Sequence, residues 1–164
     1  MFSRSSSKPS KPRARQSIKL FLACAAVLLA LLPELAAAVE FRSIAPPKAV
    51  LYDSPALQAR KLFVIHQGYP VEVIVNLGDW VKIRDNLGGL SWIEASHLSP
   101  KRTVLVMQDQ AEIRQSPNTD AALGARLEKN VVLELVEPPR NGWIKVRHRD
   151  GLTGYILASS VWGY

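Results

Sequence analysis

The chain carries one segment twice, and this repetition limits it to a fold that a short unit can form on its own. Residues 78–84, GDWVKIR, return as residues 141–147, NGWIKVR. The two segments share the order Trp, apolar, Lys, apolar, Arg. A Ser-Pro pair at 54–55 also returns at 116–117, which is 62 positions later. A unit of about 60 residues is longer than most solenoid repeats, so the sequence predicts two copies of one small domain.

Short apolar stretches separated by turn residues predict an all-β fold for both copies. β-Branched and aromatic residues alternate with polar ones in short runs, and Gly, Pro, Asn and Asp fill the gaps. We expect strands at 48–52, 62–65, 71–75, 80–84 and 90–93 in the first copy, and at 111–114, 125–127, 131–136, 143–147 and 153–156 in the second. A further apolar strand at 103–107 either completes the first copy or leads into the second. We expect each sheet to close into a small β-barrel, because closure removes exposed strand edges without disulfides.

Period-two alternation assigns the two faces of the repeated strand. Val81, Ile83 and their counterparts Ile144 and Val146 are expected to point into the core. The outer face then carries Trp80, Lys82 and Arg84 in the first copy and Trp143, Lys145 and Arg147 in the second. A tryptophan that shares a face with two cations lies either under a neighbouring loop or on the floor of a binding groove.

One substitution between the copies indicates a shared tight turn. Gly68 of the first copy is matched by Asn130 of the second, each just before a predicted strand. Asn is among the few residues besides Gly that tolerate a positive φ. We therefore expect both residues to have a positive φ.

The first 38 residues have the pattern of a secretory signal peptide. Six basic residues precede Glu34, the first acidic residue, and an apolar run covers residues 20–32. Three alanines at 36–38 suit cleavage after Ala38. The alternative, an uncleaved membrane anchor, needs about 20 apolar residues, whereas this run has 13. We therefore expect an exported, periplasmic protein that meets the membrane only during export.

Removal of this leader changes the charge and the cysteine content. Residues 39–164 contain 15 Lys and Arg against 13 Asp and Glu, a net charge of +2, whereas the full chain carries +7. Because nucleic-acid binding needs a concentrated basic patch, no nucleic-acid partner is expected. The one cysteine, Cys24, lies in the leader. The mature sequence therefore excludes disulfides, thiolate metal sites and a cysteine nucleophile.

No group of residues in the mature sequence predicts catalysis or a cofactor. His66, His97 and His148 lack metal-ligand spacing, and neither a Gly-x-Ser-x-Gly motif nor a phosphate-binding loop occurs. Asp79 and Asp150 fall in predicted turns, and nothing in the sequence indicates that such carboxylates pair. We expect no cofactor, no metal site and no enzymatic activity.

Four motifs of the second copy, in this order, resemble those of bacterial SH3 domains. They are AEIRQSP at 111–117, LEKN at 127–130, NGWIKV at 141–146 and GLTGYI at 151–156. The first copy resembles a diverged sister of the second. Its matching motifs are AVLYD at 49–53 and GDW at 78–80, and Ser91 stands where a glycine is usual.

The resemblance implies two tandem SH3-like barrels after a signal peptide, in an exported protein that binds a component of the cell envelope. The expected boundaries are 1–38 for the signal peptide, 41–98 for the first domain and 103–164 for the second. Residues 95–98, ASHL, lack the Pro and Tyr of a proline-binding groove. Recognition of proline-rich helices, which needs an aromatic-lined groove, is therefore not expected.

Six side chains are candidate ligand contacts. They are Tyr52, Trp80, Trp92, Arg114, Trp143 and Tyr155. The tryptophans of the repeated strand are the best candidates, because an aromatic ring on a polar face suits sugars, peptides or proteins; the alternative is that each covers the barrel end under a loop. The other three aromatic residues lie at strand ends that would neighbour these tryptophans. The arginine either binds a carboxylate through two hydrogen bonds or braces its own loop through backbone carbonyls.

Two functions of different classes follow from these expectations. The first is a non-catalytic envelope module that binds a cell-wall polymer, peptidoglycan, through the outer faces of both units. Two weak sites on one chain would raise its avidity for a repetitive polymer. The second is a periplasmic protein-interaction or accessory subunit that holds an envelope protein at the same face or at a sheet edge. A hydrolase is a minor third alternative, and the sequence leaves the oligomeric state open.

Overall fold

The computed structural model describes residues 39–164, which form two antiparallel β-sheets of seven strands each. The first sheet contains β1 (Glu40–Ile44), β2 (Lys48–Tyr52), β3 (Lys61–His66), β4 (Pro70–Asn76), β5 (Trp80–Arg84), β6 (Leu90–Glu94) and β7 (Leu98–Ser99). The second contains β8 (Thr103–Val106), β9 (Ala111–Arg114), β10 (Leu123–Leu127), β11 (Val132–Arg140), β12 (Trp143–Arg147), β13 (Thr153–Leu157) and β14 (Val161–Trp162). A short 3₁₀ helix precedes the last strand of each sheet, at Ala95–His97 and Ala158–Ser160. The predicted signal peptide, 1–38, lies outside the described residues.

The two sheets have the same strand order, which confirms the duplication predicted from the sequence. Hydrogen-bonded neighbours run β3-β2-β6-β5-β4-β1-β7 in the first sheet and β10-β9-β13-β12-β11-β8-β14 in the second. The apolar stretch predicted at 103–107 contains β8, which pairs with β11 and so belongs to the second sheet. Its counterpart β1, EFRSI, is a strand that the sequence pattern does not predict. Within residues 39–164 no helix is long and apolar enough to cross a membrane.

Neither sheet closes into a barrel by hydrogen bonding, so the expected closure is wrong. The ends of the first strand order are β3 and β7, and the ends of the second are β10 and β14. The last strand of each sheet has two residues and pairs only with β1 or β8. Within residues 39–164 neither of these short strands pairs with the strand at the other end of its sheet, β3 or β10. In the described part of the chain, both β3 and β10 therefore have one edge without a paired strand.

Each sheet folds around its own apolar core, and the predicted faces of the repeated strand are confirmed. Val81, Ile83, Ile144 and Val146 are at most 3% exposed. The first core also contains Ile44, Ala49, Leu51, Ile65, Val71 and Ile93, and the second also contains Val104, Val106, Ala111, Ile113, Leu127, Leu133, Ile156 and Val161. Burial of one large apolar side chain contributes about 1.5–3 kcal/mol. The cores thus stabilise both sheets without any cysteine among the described residues.

The turns predicted before β4 and before its counterpart β11 are also confirmed. Gly68 has a φ of 80° and Asn130 a φ of 69°. The N–H of Gly68 donates to the carbonyl of Ile44, and the N–H of Asn130 donates to the carbonyl of Val106, both at 2.8 Å. Equivalent positions therefore make equivalent backbone contacts in both repeats.

Aromatic and polar contacts join the two sheets. The rings of Phe41 and Trp162 meet edge to face, with centroids 5.1 Å apart. The guanidinium of Arg102 lies 5.6 Å from the Phe41 ring, close enough for a cation–π contact. Thr103 Oγ1 donates a hydrogen bond of 2.6 Å to the carbonyl of Gly68. These contacts come from both sheets and from the residues between them, so they fix how the repeats pack together.

The junction between the two sheets gives a prediction at Gly163. Its φ is 110°, and a Cβ added there would lie 2.8 Å from Pro70 Cβ. We expect Gly163→Ala to lower the free energy of unfolding by about 2–4 kcal/mol, because it adds steric overlap to an unfavourable φ. The matched control is Gly78→Ala, where φ is 86° but a Cβ would meet nothing within 4 Å. It should lower the free energy by about 1–2 kcal/mol. Urea unfolding measures both, and equal losses would contradict close packing at the junction.

Candidate functional site

Three neighbouring strands of the first sheet bring a tyrosine, a tryptophan and a lysine into one row. Tyr52 of β2 lies opposite Trp92 of β6, and Trp92 lies opposite Lys82 of β5. Residues that face each other across antiparallel strands point to the same side of the sheet. That side is the outer one, because the intervening residues of β5 are buried. Trp80 precedes Lys82 by two positions and shares this outer face.

The aromatic residues of this row support one another. The rings of Tyr52 and Trp80 meet edge to face, with centroids 5.3 Å apart, an arrangement that contributes about 0.5–1.5 kcal/mol beyond burial. Tyr52 is only 6% exposed, so it supports Trp80 and presents little surface of its own. Trp80 and Trp92 are half-buried. They are the aromatic surface that this face offers to a ligand.

Lys82 adds a cation to the same face. Its ammonium nitrogen lies 5.8 Å from the centroid of the Trp92 ring. It makes no ion pair within residues 39–164, because its cross-strand neighbour on β4 is the apolar Val75. An ammonium beside half-buried rings suits a ligand with an apolar face and a negative group. Lys82 is absent from the six predicted contacts, although the period-two Trp-apolar-Lys spacing could have added it.

The second sheet forms the equivalent row with different side chains. Arg114 of β9 lies opposite Tyr155 of β13, and Tyr155 lies opposite Lys145 of β12. The ammonium of Lys145 is 5.8 Å from the centroid of the Tyr155 ring. Arg114 therefore occupies the row position that Tyr52 occupies in the first sheet. The six predicted residues divide into two groups of three, one on each sheet.

The cations of the second row are engaged within their own sheet. Arg114 Nη1 donates 2.7 Å to the carbonyl of Ala121, and Arg114 Nη2 donates to Glu112. Lys145 donates 2.7 Å to Glu137, its cross-strand neighbour on β11. This hydrogen bond raises the pKa of Lys145. Of the two roles considered for Arg114, the structure shows the arginine bracing its own loop.

Trp143 lies beside a small pocket of the second sheet. The pocket has a volume of about 180 Å³, and its lining includes Arg114, Glu112, Thr119 and Trp143. Ligand pockets usually measure about 300–1,000 Å³. This one is large enough for a single small group of a longer ligand. Trp143 and Arg114 are therefore brought together, whereas Tyr155 is absent from the pocket lining.

The histidines form no metal centre in the part of the chain that the structure describes. His97 Nδ1 lies 3.8 Å from Glu94, and His148 Nδ1 lies 2.9 Å from Asp150. Within residues 39–164 no cluster of three or more metal-ligating side chains occurs. Each histidine pair offers fewer ligands than a structural metal site needs.

The chain matches one family model twice. The description of that family is "Bacterial SH3 domain", and the matches cover residues 45–100 and 108–163. Each match falls mainly on one of the two sheets, and together the matches cover more than half of the chain. Strands β1 and β8 precede the matched segments.

Solved structures similar to this chain include NlpC2 and NlpC1 from Trichomonas vaginalis and an NlpC/P60 family protein from Bacillus cereus. Their sequence identities are 16%, 16% and 15%, and the TM-score is 0.35 for each. The matches cover 76%, 75% and 76% of this chain and 48%, 45% and 56% of the respective proteins. The chain thus spans about half the length of these structures. No curated protein sequence matches it.

The geometry around Glu112 gives a pH prediction. The hydrogen bond from Arg114 holds the folded-state pKa of Glu112 below its ordinary value of 4.5. A carboxyl group with a lowered folded-state pKa stabilises the fold above its ordinary pKa, and this stabilisation is lost as the pH falls through the lower folded-state value. We expect Glu112→Gln to reduce the urea midpoint at neutral pH and to approach wild type as the pH falls below 4.5.

A matched control is Glu128→Gln, which changes an exposed glutamate without an ion pair in residues 39–164. It should change the midpoint little at neutral pH, because a solvated carboxylate contributes little to stability. A difference between wild type and Glu112→Gln that stays constant down to about pH 3 would contradict the linkage.

Proposed function

Because the chain belongs to the bacterial SH3 domain family, we propose that it is a non-catalytic binding module of the cell envelope whose ligand is a cell-wall polymer, peptidoglycan. The observation that carries the proposal is the outer face of the first sheet. There Trp80 and Trp92 are half-buried, and the ammonium of Lys82 lies beside the Trp92 ring without an ion-pair partner in residues 39–164. Family membership supports a binding role, and this face supports the choice of ligand.

The chemistry of the polymer suits this face. Peptidoglycan combines sugar rings, which have apolar faces, with short peptides that carry carboxylates. Aromatic side chains such as Trp80 and Trp92 can contact the apolar face of a sugar, while Lys82 can pair with a carboxylate. Each contact is weak alone, because the face is open to water and salt screens the charge.

The two sheets would contribute unequally to binding. The second face has Trp143 and Tyr155, but the ammonium of Lys145 is already paired with Glu137. A ligand carboxylate would therefore have to compete with an existing ion pair there. The first face supplies the stronger site, and the second raises avidity by making a further contact intramolecular.

Export is part of the proposal. Residues 1–38 would act as a signal peptide cleaved after Ala38, which places the two sheets in the periplasm beside the cell wall. Amino-terminal sequencing of the protein from an envelope fraction tests this placement. A protein that retains residues 1–38 would contradict cleavage.

The non-catalytic assignment is tested by incubation with muropeptides, and turnover that survives repurification would overturn it.

A second candidate function rests on the free edge of β3. Within residues 39–164 this strand pairs only with β2, and Phe63 and Val64 are 66% and 57% exposed. Exposed sheet edges can accept a strand from another protein, which favours a periplasmic interaction or accessory subunit. Recovery of one stoichiometric envelope protein by wild type but not by Phe63→Lys, without sacculus binding, would support this function over the first.

Binding to purified sacculi tests the proposed function. We expect Trp80→Ala to weaken co-sedimentation about tenfold, because truncation of a central aromatic contact typically removes more than 1 kcal/mol. Trp143→Ala should weaken it less. Lys82→Gln leaves the rings in place and should reduce both the affinity and its dependence on salt.

The matched control is Leu87→Ala, which removes an 87% exposed apolar side chain from the turn between β5 and β6. This variant should bind like wild type. Near-UV circular dichroism checks that each tryptophan variant remains folded. Equal binding by wild type, Trp80→Ala and Lys82→Gln would remove the first face from the proposal, and no binding by wild type would reject peptidoglycan as the ligand.

A further inference from the structure

The two sheets enclose a groove that neither repeat forms alone. Its volume is about 860 Å³, which lies within the range of pockets that hold ligands. The first repeat lines it with Ser43, Ile44, Ala45, Gln67, Gly68 and Ser99, and the second with residues 130–132, Glu134 and residues 147–149. Lys101, which lies between the two sheets, and Thr103, the first residue of β8, complete the lining. A ligand in this groove would contact both sheets at once.

The groove carries a local excess of positive charge. Lys101, Arg147 and Arg149 face one carboxylate, Glu134, which gives the lining a net charge of +2 with His148 neutral. Residues 39–164 as a whole also carry +2. The rest of the described chain is thus balanced, and the excess cations are concentrated where the repeats meet. Such a concave basic surface attracts anions.

The two repeats treat an equivalent ion pair differently. In the first sheet, Arg84 Nη1 donates to both carboxylate oxygens of Glu72, at 3.0 and 2.9 Å. The equivalent arginine, Arg147, lies 3.9 Å from Glu134, beyond hydrogen-bond distance. Lys101 takes its place, with its ammonium nitrogen 3.0 Å from Glu134. The guanidinium of Arg147 is therefore left with donors that can reach a ligand.

The turn after Arg147 also carries a cation that the equivalent turn of the first repeat lacks. Residues 85–86 are Asp-Asn in the first repeat, whereas the equivalent residues 148–149 are His-Arg. Asp85 accepts hydrogen bonds from the backbone N–H groups of its own turn. Asp150 supplies this acceptor in the second repeat, by bonding the N–H of Leu152. Arg149 is thus not needed for the turn, and it makes no ion pair within residues 39–164.

Contacts on both sides of the junction hold the groove in shape. Thr103 donates to the carbonyl of Gly68 at 2.6 Å, and a Cβ added at Gly68 would lie 3.4 Å from Val132 Cγ1. Asn86 Nδ2 lies 3.6 Å from Met107 Sδ, which links a turn of the first sheet to the second. A groove that is formed before binding loses less entropy when a ligand enters.

We propose that this groove binds a carboxylate of an acidic peptide, held by the guanidinium groups of Arg147 and Arg149. Guanidinium is planar and offers paired donors that match a carboxylate. The first repeat contributes only uncharged residues to the lining, among them Gln67 and Ser43. A net charge of +2 suits one or two carboxylates, whereas a polyphosphate chain calls for a denser array of cations.

The contacts between the two sheets establish the groove without reference to the proposed function. Only the choice of an acidic peptide, as a component of the cell-wall polymer, rests on the proposed function. The test uses an N-acetylated alanyl-glutamyl-alanine peptide with free carboxylates, and the same peptide with both carboxylates amidated. Backbone amide shifts in the ¹H–¹⁵N NMR spectrum of the purified protein report where each peptide binds. We expect the acidic peptide to shift the amides of Gly68, Asn130 and Arg147, and the amidated peptide to leave them unchanged.

Matched variants sharpen the test. Arg147→Gln and Arg149→Gln should each weaken binding of the acidic peptide about tenfold, because each removes charge-assisted hydrogen bonds. Arg60→Gln changes a 76% exposed arginine outside the groove and should leave binding unchanged. Equal shifts with both peptides, unchanged binding by both groove variants, or tighter binding of inorganic phosphate than of the peptide would overturn the inference.

The outcome separates this inference from the proposed function. Retained sacculus binding with no peptide-induced shifts in the groove would overturn the groove site alone. Peptide binding in the groove without any binding to sacculi would overturn the proposed function alone. Urea midpoints of the Arg147 and Arg149 variants, which are expected to match wild type because both side chains are exposed, exclude unfolding as the cause of lost binding.

Discussion

Burial of alternate residues on β5 and β12 is the constraint on which the rest of the structure depends. Each strand inserts two apolar side chains into its core, Val81 and Ile83 in the first sheet and Ile144 and Val146 in the second. A slip of one residue would reverse both faces of the strand. It would place Trp80, Lys82 and Arg84 in the core, where an unpaired charge is costly to bury. The same alternation therefore fixes the strand register and decides which side chains can meet a ligand.

The outer faces show how one fold can hold two different sites. Lys82 and Lys145 occupy equivalent positions, and each lies 5.8 Å from an aromatic ring. They differ in the residue opposite them on the neighbouring strand, which is Val75 in the first sheet and Glu137 in the second. One cross-strand neighbour thus decides whether the ammonium forms an ion pair within residues 39–164. The repeated strand therefore has the same sequence pattern in both sheets but a different charge environment around its lysine.

Local patterns predicted much of the fold, and long-range contacts account for what they missed. The faces of β5 and β12 and the positive φ of Gly68 and Asn130 depend on residues close in the sequence, and both predictions are confirmed. β1 escaped prediction because its only apolar residues, Phe41 and Ile44, are three positions apart, and the buried position between them is the polar Ser43. The expected barrel closure is wrong, because closure depends on pairing between strands far apart in the sequence, and β7 and β14 do not pair with β3 and β10.

The candidate site divides in the same way. Alternation placed Trp80 and Trp143 on outer faces, but it could not decide between the two roles of Arg114, because that choice depends on the carbonyl of Ala121 and the carboxylate of Glu112. The groove could not be predicted from the sequence, because its position depends on contacts between the two repeats. These are the contact of Phe41 with Trp162 and the hydrogen bond from Thr103 to Gly68. The two repeats meet through different surfaces, so equivalent residues have different surroundings: Gly68 packs against Val132 of the other repeat, whereas Asn130 is exposed. The burial of a residue in one repeat therefore predicts the burial of its equivalent in the core strands of the other repeat. The same prediction fails where the two repeats meet, because there a residue's contacts are made by the neighbouring repeat.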